Sequence, residues 1–184
     1  MKELSEHILD IAQNSVAAGA ANIGITLTED QAGWLTVVIA DDGRGMGPEF
    51  LASATDPFTT TRTTRNVGLG LPLYRQTAEQ TGGTLQIRST PGTGTTVTAV
   101  FDLNHLDCPP LGNISGSIAL LVQGNPEIDI AYWHITPRGT VELSTREMRQ
   151  VLGPEISLAE PEVFSWLNDH LSEQEAQLEG AEQR

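Results

Sequence analysis

His7, Asp10 and Asn14 are spaced so that one helix would carry all three on one side, with the carboxylate and the amide four residues apart. Two such oxygen donors suit a hard cation such as Mg²⁺, which keeps several waters and takes substrate phosphates as further ligands. The same side also suits plain solvent exposure. Asp41-Asp42-Gly43-Arg44-Gly45-Met46 directly follows a hydrophobic run. A carboxylate at a strand end can accept from the exocyclic amine of adenine, and glycines let backbone approach a flat ligand; an Asp-Gly turn after a strand needs no ligand at all. Gly68-Leu69-Gly70-Leu71-Pro72 opens a helix, where backbone N–H groups can hold phosphate. It lacks the third glycine and the preceding strand of a dinucleotide fingerprint. Gly92-Thr93-Gly94-Thr95-Thr96 leads into a strand, and Thr95 could hydrogen-bond near a purine or simply begin that strand.

The elements that must position these residues follow from periodicity. Ile8, Leu9, Ile11, Ala12, Ser15 and Val16 predict a helix over 5–18, closed by Gly19. Strands are expected at 23–27 and 34–40, the second with a run (Val37, Val38, Ile39) that suggests burial on both faces. A Thr-rich loop spans 52–68. A helix over 71–80 starts with Pro72 and ends at Gly82-Gly83, and strands follow at 84–88 and 95–102. This order predicts an α+β fold, a two-layer α/β sandwich, in preference to a βαβ array.

Beyond Cys108-Pro109-Pro110 the pattern predicts a helix over 114–123, two strands joined by Pro137-Arg138-Gly139, and helices over 145–152 and 161–171. The chain thus divides into a first domain over 1–104, a small α+β C-terminal extension over 105–172 and an acidic, mobile tail over 173–184. Tyr132-Trp133-His134 and Trp166 are expected in the core, in part at an interface. His105, Asp107 and Cys108 read either as part of a metal site or as a plain structural junction.

Composition narrows the chemistry. The 184 residues suit one domain with an appendage, and the net charge is −14. Half of that excess lies past residue 154, where eight acids meet one base. Such a balance argues against nucleic acid or an anionic membrane as partner. Lys2 is the single lysine, so a Walker-type P-loop, the eukaryotic protein-kinase pattern and Schiff-base catalysis lack their key residue. One cysteine excludes an internal disulfide and fits a reducing cytoplasm. No apolar run reaches the ~18 residues of a membrane span, and the first ten residues lack a signal-peptide core.

Taken together, the four motifs resemble the histidine-kinase-like ATPase superfamily of gyrase B, MutL, heat-shock chaperone and histidine-kinase ATP-binding domains. Residues 8–15 look like the N box, 41–46 like the G1 box, 68–71 like the G2 box and 92–95 like the closing glycine–threonine element; Asp56-Pro57-Phe58-Thr59-Thr60-Thr61 is similar to the segment before the kinase ATP lid. The resemblance covers residues 5–102 and implies a Bergerat-type ATP-binding fold with ATP and Mg²⁺ as cofactors. It implies that Asn14 coordinates Mg²⁺ and that Asp41 binds the adenine amine, with Thr95 nearby. Gly43, Gly45 and Met46 of the G1 box would lie at the base pocket. Gly68 and Gly70 of the G2 box would line the phosphates, with Leu69 and Leu71 beside them among the cofactor-binding residues. Arg62 and Arg65 in the lid could offset phosphate charge or stay solvated.

The sequence departs from the pattern in four places. Asn66 stands where kinases usually have another glycine. The chain begins at the N-box helix, so the phosphoacceptor and dimerisation helices of sensor kinases are expected to be missing. No strand precedes that helix, so the sheet is expected to start abbreviated. Asp10 stands where ATP-hydrolysing and serine-kinase members carry glutamate and histidine kinases often carry asparagine. An acid there favours water or a hydroxyl as nucleophile, since both benefit from a general base. Asp is one methylene shorter, however, and ~1 Å of misplacement can cost ~10²-fold in rate. His7 is a candidate auxiliary base or a helix-surface histidine.

The extension is similar to one in small stand-alone ATP-binding proteins encoded near iron-only hydrogenase genes, through His105-Leu106-Asp107, Pro109-Pro110-Leu111-Gly112 and the Trp166 helix. That resemblance implies a hydrogenase-associated or signalling protein as partner. The expectation is a cytoplasmic Mg-ATP-binding regulatory protein that phosphorylates a hydroxyl or gates a partner with ATP, as an ATPase or protein kinase of weak turnover. The alternative is a non-catalytic nucleotide-sensing module.

Overall fold

The computed structural model describes residues 3–56 and 70–180. The chain opens with helix α1 (Leu4–Ala17) and strands β1 (Asn22–Glu29) and β2 (Trp34–Asp41). Helices α2 (Pro48–Ser53) and α3 (Gly70–Gln80) and strands β3 (Thr84–Thr90) and β4 (Gly94–Asp102) follow. The second part holds α4 (Ile114–Gly124), β5 (Asp129–Thr136), β6 (Gly139–Ser144), α5 (Thr145–Leu152) and α6 (Pro161–Glu179). The six strands form one sheet in the order β3-β4-β2-β1-β5-β6, antiparallel except where β5 runs parallel to β1. Helices α1, α3 and α6 pack on the sheet, and α4 lies against α1 and α6. This is the expected α+β two-layer sandwich. Among the described residues no helix is long and apolar enough to cross a membrane.

Alternation decides the core. Ile23, Ile25 and Leu27 of β1, Leu35, Val37 and Ile39 of β2, and Val97, Ala99 and Phe101 of β4 are all buried. The intervening residues of β2 are only half-buried, so the apolar run is covered on one face, not two. Val38 lies between Thr26 and Thr98 on the other face, where β-branched neighbours shield one another without a second helical layer. Helix α2, which overlaps only the start of the loop expected over 52–68, is a short helix with proline in its first turn.

The sheet is not abbreviated. The edge of β1 away from β2 would leave a row of free N–H and C=O groups, and β5 takes it, from Asn22 opposite Asp129 to Thr28 opposite Ile135. Residues 105–172 therefore continue the same sheet and helix layer. Residues 173–179, expected to be mobile, form the last turns of α6. Leu178 is buried there, and Glu175 accepts a 2.7 Å hydrogen bond from the Tyr132 hydroxyl. In β5, Tyr132 and His134 face the core, but Trp133 is 38% exposed because successive strand residues point to opposite faces. Trp166 is 56% exposed on α6, so neither tryptophan is a core residue.

Candidate functional site

A cavity of about 360 Å³ opens between α1, the end of β2, the loop after it and β4. Asn14, Asp41, Gly45, Met46, Leu71 and Thr95 all line it. Residues from four separate motifs thus meet at one place, within the ~300–1,000 Å³ typical of small-molecule pockets.

Asp41 is the last residue of β2 and stands opposite Thr95 of β4. Its carboxylate accepts from the Ser15 hydroxyl at 2.6 Å, from the Gly43 backbone N–H at 2.9 Å and from the Thr95 N–H at 3.3 Å. These donors fix the side chain: Oδ1 accepts the two backbone bonds, while Oδ2, with Ser15 alone, keeps further acceptor capacity. Asp42 turns the other way. It accepts from the Asn22 side chain at 2.7 Å and from the Ala21 and Asn22 N–H groups at 2.8 Å, and the Asn22 side-chain bond is the main cause holding its carboxyl below the usual range. One aspartate of the pair faces the cavity and the other ties β2 to the start of β1.

The loop after β2 is stitched on both sides. Arg44 N–H donates to the Ala18 carbonyl at 2.9 Å, Gly92 N–H donates to the Arg44 carbonyl at 2.7 Å, and Met46 N–H donates to the Ser89 hydroxyl oxygen at 2.8 Å. Ser89 in turn lies 2.8 Å from the Thr95 hydroxyl. Gly45 has φ +69°, and a Cβ there would lie 2.1 Å from the Thr90 carbonyl oxygen. Only glycine accepts both constraints.

Asn14 and Asp10 part company despite their spacing. Asn14 lines the cavity, whereas Asp10 faces a neighbouring groove against α4. A Cβ built on Gly70 would lie 1.8 Å from Asp10 Oδ2, so the carboxylate abuts the first residue of α3. Burial pushes the Asp10 carboxyl up from its usual range. His7 is no surface histidine. It is 3% exposed, its ring centroid lies 5.3 Å from that of Tyr74, and burial lowers its pKa. Gly43 is buried behind Asp41 instead of lining the cavity. Lid residues Arg62 and Arg65, the Asp-Pro-Phe-Thr segment from Pro57 onward, and Gly68 and Leu69 lie outside the described residues. Among the described residues no group of three metal-ligating side chains comes together, and His105 Nδ1 accepts a 3.1 Å bond from the Asp107 N–H.

Ser15 and Ser89 shape the site without a role that the motifs assign to them. Ser15 ends the N-box match and lies on the buried stripe of α1 beside Asn14, but neither feature implies its bond to Asp41. Nothing local marks Ser89, whose role depends on the β3–β4 register.

The profile of the family described as histidine kinase-, DNA gyrase B- and HSP90-like ATPase matches residues 1–105, more than half of the sequence. The chain belongs to this ATPase family. The sensor histidine kinase ZraS of Escherichia coli K12 is 31% identical over 111 residues, 59% of this chain and 23% of that protein. The non-motile and phage-resistance protein of Caulobacter vibrioides is 30% identical over 116 residues, 58% of this chain and 14% of that protein. The chain thus spans less than a quarter of either relative. A solved structure, the N-terminal domain of a DNA repair protein, shares the fold at TM-score 0.56 and 18% identity, covering 84% of this chain and 58% of that one. The histidine-kinase-like ATPase fold accounts for the convergence of the four motifs on one cavity, and the domain is an ATP-binding one.

Proposed function

We propose that the chain binds Mg-ATP in the cavity between α1, β2 and β4 and acts on a partner protein, by phosphorylating a hydroxyl or by ATP-gated binding. The observation that carries this reading is the Asp41 carboxylate, pinned by Ser15, Gly43 and Thr95 at the wall of the cavity. A fixed acceptor beside an apolar wall (Ile11, Leu71, Val97) suits the amine edge of adenine. Asn14, one helical position before Ser15, offers an amide oxygen for Mg²⁺. The N-terminus of α3 at Gly70, with Gly68 and Leu69 before it, suits the phosphates; Arg62 and Arg65 would offset their charge. Bound Mg-ATP would supply an activated γ-phosphoryl group.

Asp10 is the candidate general base. Burial raises its pKa, which suits a base, but its place against Gly70, off the cavity wall, favours slow turnover. The same placement supports the second reading, a nucleotide-sensing module without chemistry. A hydrogenase-associated or signalling protein in the cytoplasm is the partner class that the extension suggests.

Calorimetry with ATP, with and without Mg²⁺, on the wild type and on Asp41→Asn tests the proposal. Mg²⁺-dependent binding that Asp41→Asn weakens at least about tenfold is the expected result. Absence of binding at millimolar adenine nucleotide would overturn it.

A further inference from the structure

A second concavity, of about 590 Å³, lies between α5 and α6 on the far side of the molecule's sequence from the nucleotide motifs. Its apolar lip is unusually open to water: Val151 is 86% exposed, Trp166 56% and Ile156 40%. Met148, Leu152 and Val163 form its floor. Glu142, Glu147, Glu160 and Glu162 stand round it, and among the described residues no basic side chain lines it.

The missing bases have an explanation in α5 itself. Arg146 and Arg149 sit on this short helix, yet both turn to its other side. Arg146 Nη2 lies 2.6 Å from Asp129 Oδ2, while Arg149 pairs with the other oxygen of Asp129 and donates to the Pro126 carbonyl at 3.0 Å. Helix α5 is thereby clamped to the start of β5 by its basic side, and presents apolar and acidic residues outward.

We propose that this groove docks an amphipathic helix of a partner protein, with an apolar stripe seated on Val151, Ile156 and Trp166 and flanking Arg or Lys residues paired with Glu142, Glu147 and Glu162. Two helices with an apolar trough between them match the helix-in-groove mode of recognition. The charge selects the occupant. A second copy of this chain would add its own net −14, and an anionic lipid surface would meet the same carboxylates. The groove is separate from the candidate ATP cavity, so the inference does not depend on nucleotide binding.

The test uses the full chain and a synthetic helix-forming peptide with leucines three and four residues apart and arginines on the flanking positions. Its twin carries glutamates in place of the arginines. Fluorescence anisotropy of the labelled peptides reads binding at several salt concentrations. The basic peptide should bind at least about tenfold more tightly than its twin. Val151→Asp and, separately, Trp166→Ala should each weaken it at least about tenfold, and the double variant Glu147→Gln/Glu162→Gln should flatten its salt dependence. Both single substitutions lie at exposed positions, and thermal melting checks their folding. Equal binding of the twins, no binding at millimolar peptide, or affinity unchanged in Val151→Asp and Trp166→Ala would overturn the proposal. So would self-association of the chain that Val151→Asp abolishes, or capture by phosphatidylserine vesicles. None of these arms contains ATP, so their failure is distinct from failure of the nucleotide reading.

Discussion

The Ser15 hydroxyl donates a 2.6 Å hydrogen bond to Asp41 Oδ2, joining the last turn of α1 to the end of β2 at the wall of the candidate nucleotide cavity. The bond holds the carboxylate in one orientation before any ligand arrives. Preorganisation of this kind raises affinity by removing the cost of ordering the side chain on binding.

Ser15→Ala removes that donor and leaves Asp41 Oδ2 without it. A hydrogen bond to a charged group is worth about 1.5–3 kcal/mol when lost, less where water can replace it. The expected outcome is a destabilisation of about 1–2 kcal/mol in urea denaturation, with ATP affinity reduced about tenfold by calorimetry. Full affinity in this variant would remove Ser15 from the site.

Gly45→Ala sets a methyl group against the Thr90 carbonyl at a left-handed backbone position. The loop must shift, at a cost of about 1–3 kcal/mol, and the Met46–Ser89 bond that shapes the cavity shifts with it. Gly24→Ala is the control, because a Cβ there meets nothing within 4 Å and the residue lies in a strand. It should change the melting midpoint little or raise it. Equal behaviour of the two variants would show that the loop tolerates rearrangement.

Asp10→Asn keeps the size of the side chain against Gly70 but removes its basicity. ATP affinity should stay within about twofold, while any hydrolysis or phosphoryl transfer should fall about 10²-fold or more. Undiminished turnover in a phosphate-release assay would dismiss Asp10 as the base.

His134 gives a pH prediction. Burial by itself lowers its pKa, but hydrogen bonds and charge from Glu175 at 2.7 Å and Glu29 at 2.9 Å outweigh that and raise it to about 9. The folded state therefore binds the proton more tightly than the unfolded chain, whose histidine titrates near 6.5. The stabilisation is complete below about pH 6.5 and is lost as pH rises through about 9, with a limiting slope of about 1.4 kcal/mol per pH unit. Denaturation midpoints should fall over that window, and His134→Gln should flatten the fall. A wild-type profile flat from pH 6.5 to 9 would refute the charged state.

The elements around the four motifs were legible because each rests on local chemistry. The stripe of Ile8, Ile11, Ala12 and Ser15 repeats at helical spacing, and Gly19 adopts the left-handed φ of +75° that ends α1. What escaped was rotation and parity. His7 and Asp10 lie within one turn, yet one is buried against Tyr74 while the other faces a groove by the start of α3. Trp133 and its neighbours differ by a single strand position, and only the helical layer decides which of them is covered. The last turns of α6 read as tail because their acids look solvated; Glu175 is ordered by Tyr132 and His134, more than forty positions away.

By itself, then, the sequence determined the α+β class and the grouping of Asn14, Asp41, Gly45 and Thr95 into motifs with one chemistry, since residue type and short spacing carry that information. Tertiary structure decided the rest: that β5 fills the free edge of β1, that Asp41 and not Asp42 turns into the cavity, and that the arginines of α5 face Asp129 and leave an acidic apolar groove outside. Backbone edges need partners and charges need counter-charges, but which distant segment supplies them is settled only when the whole chain packs.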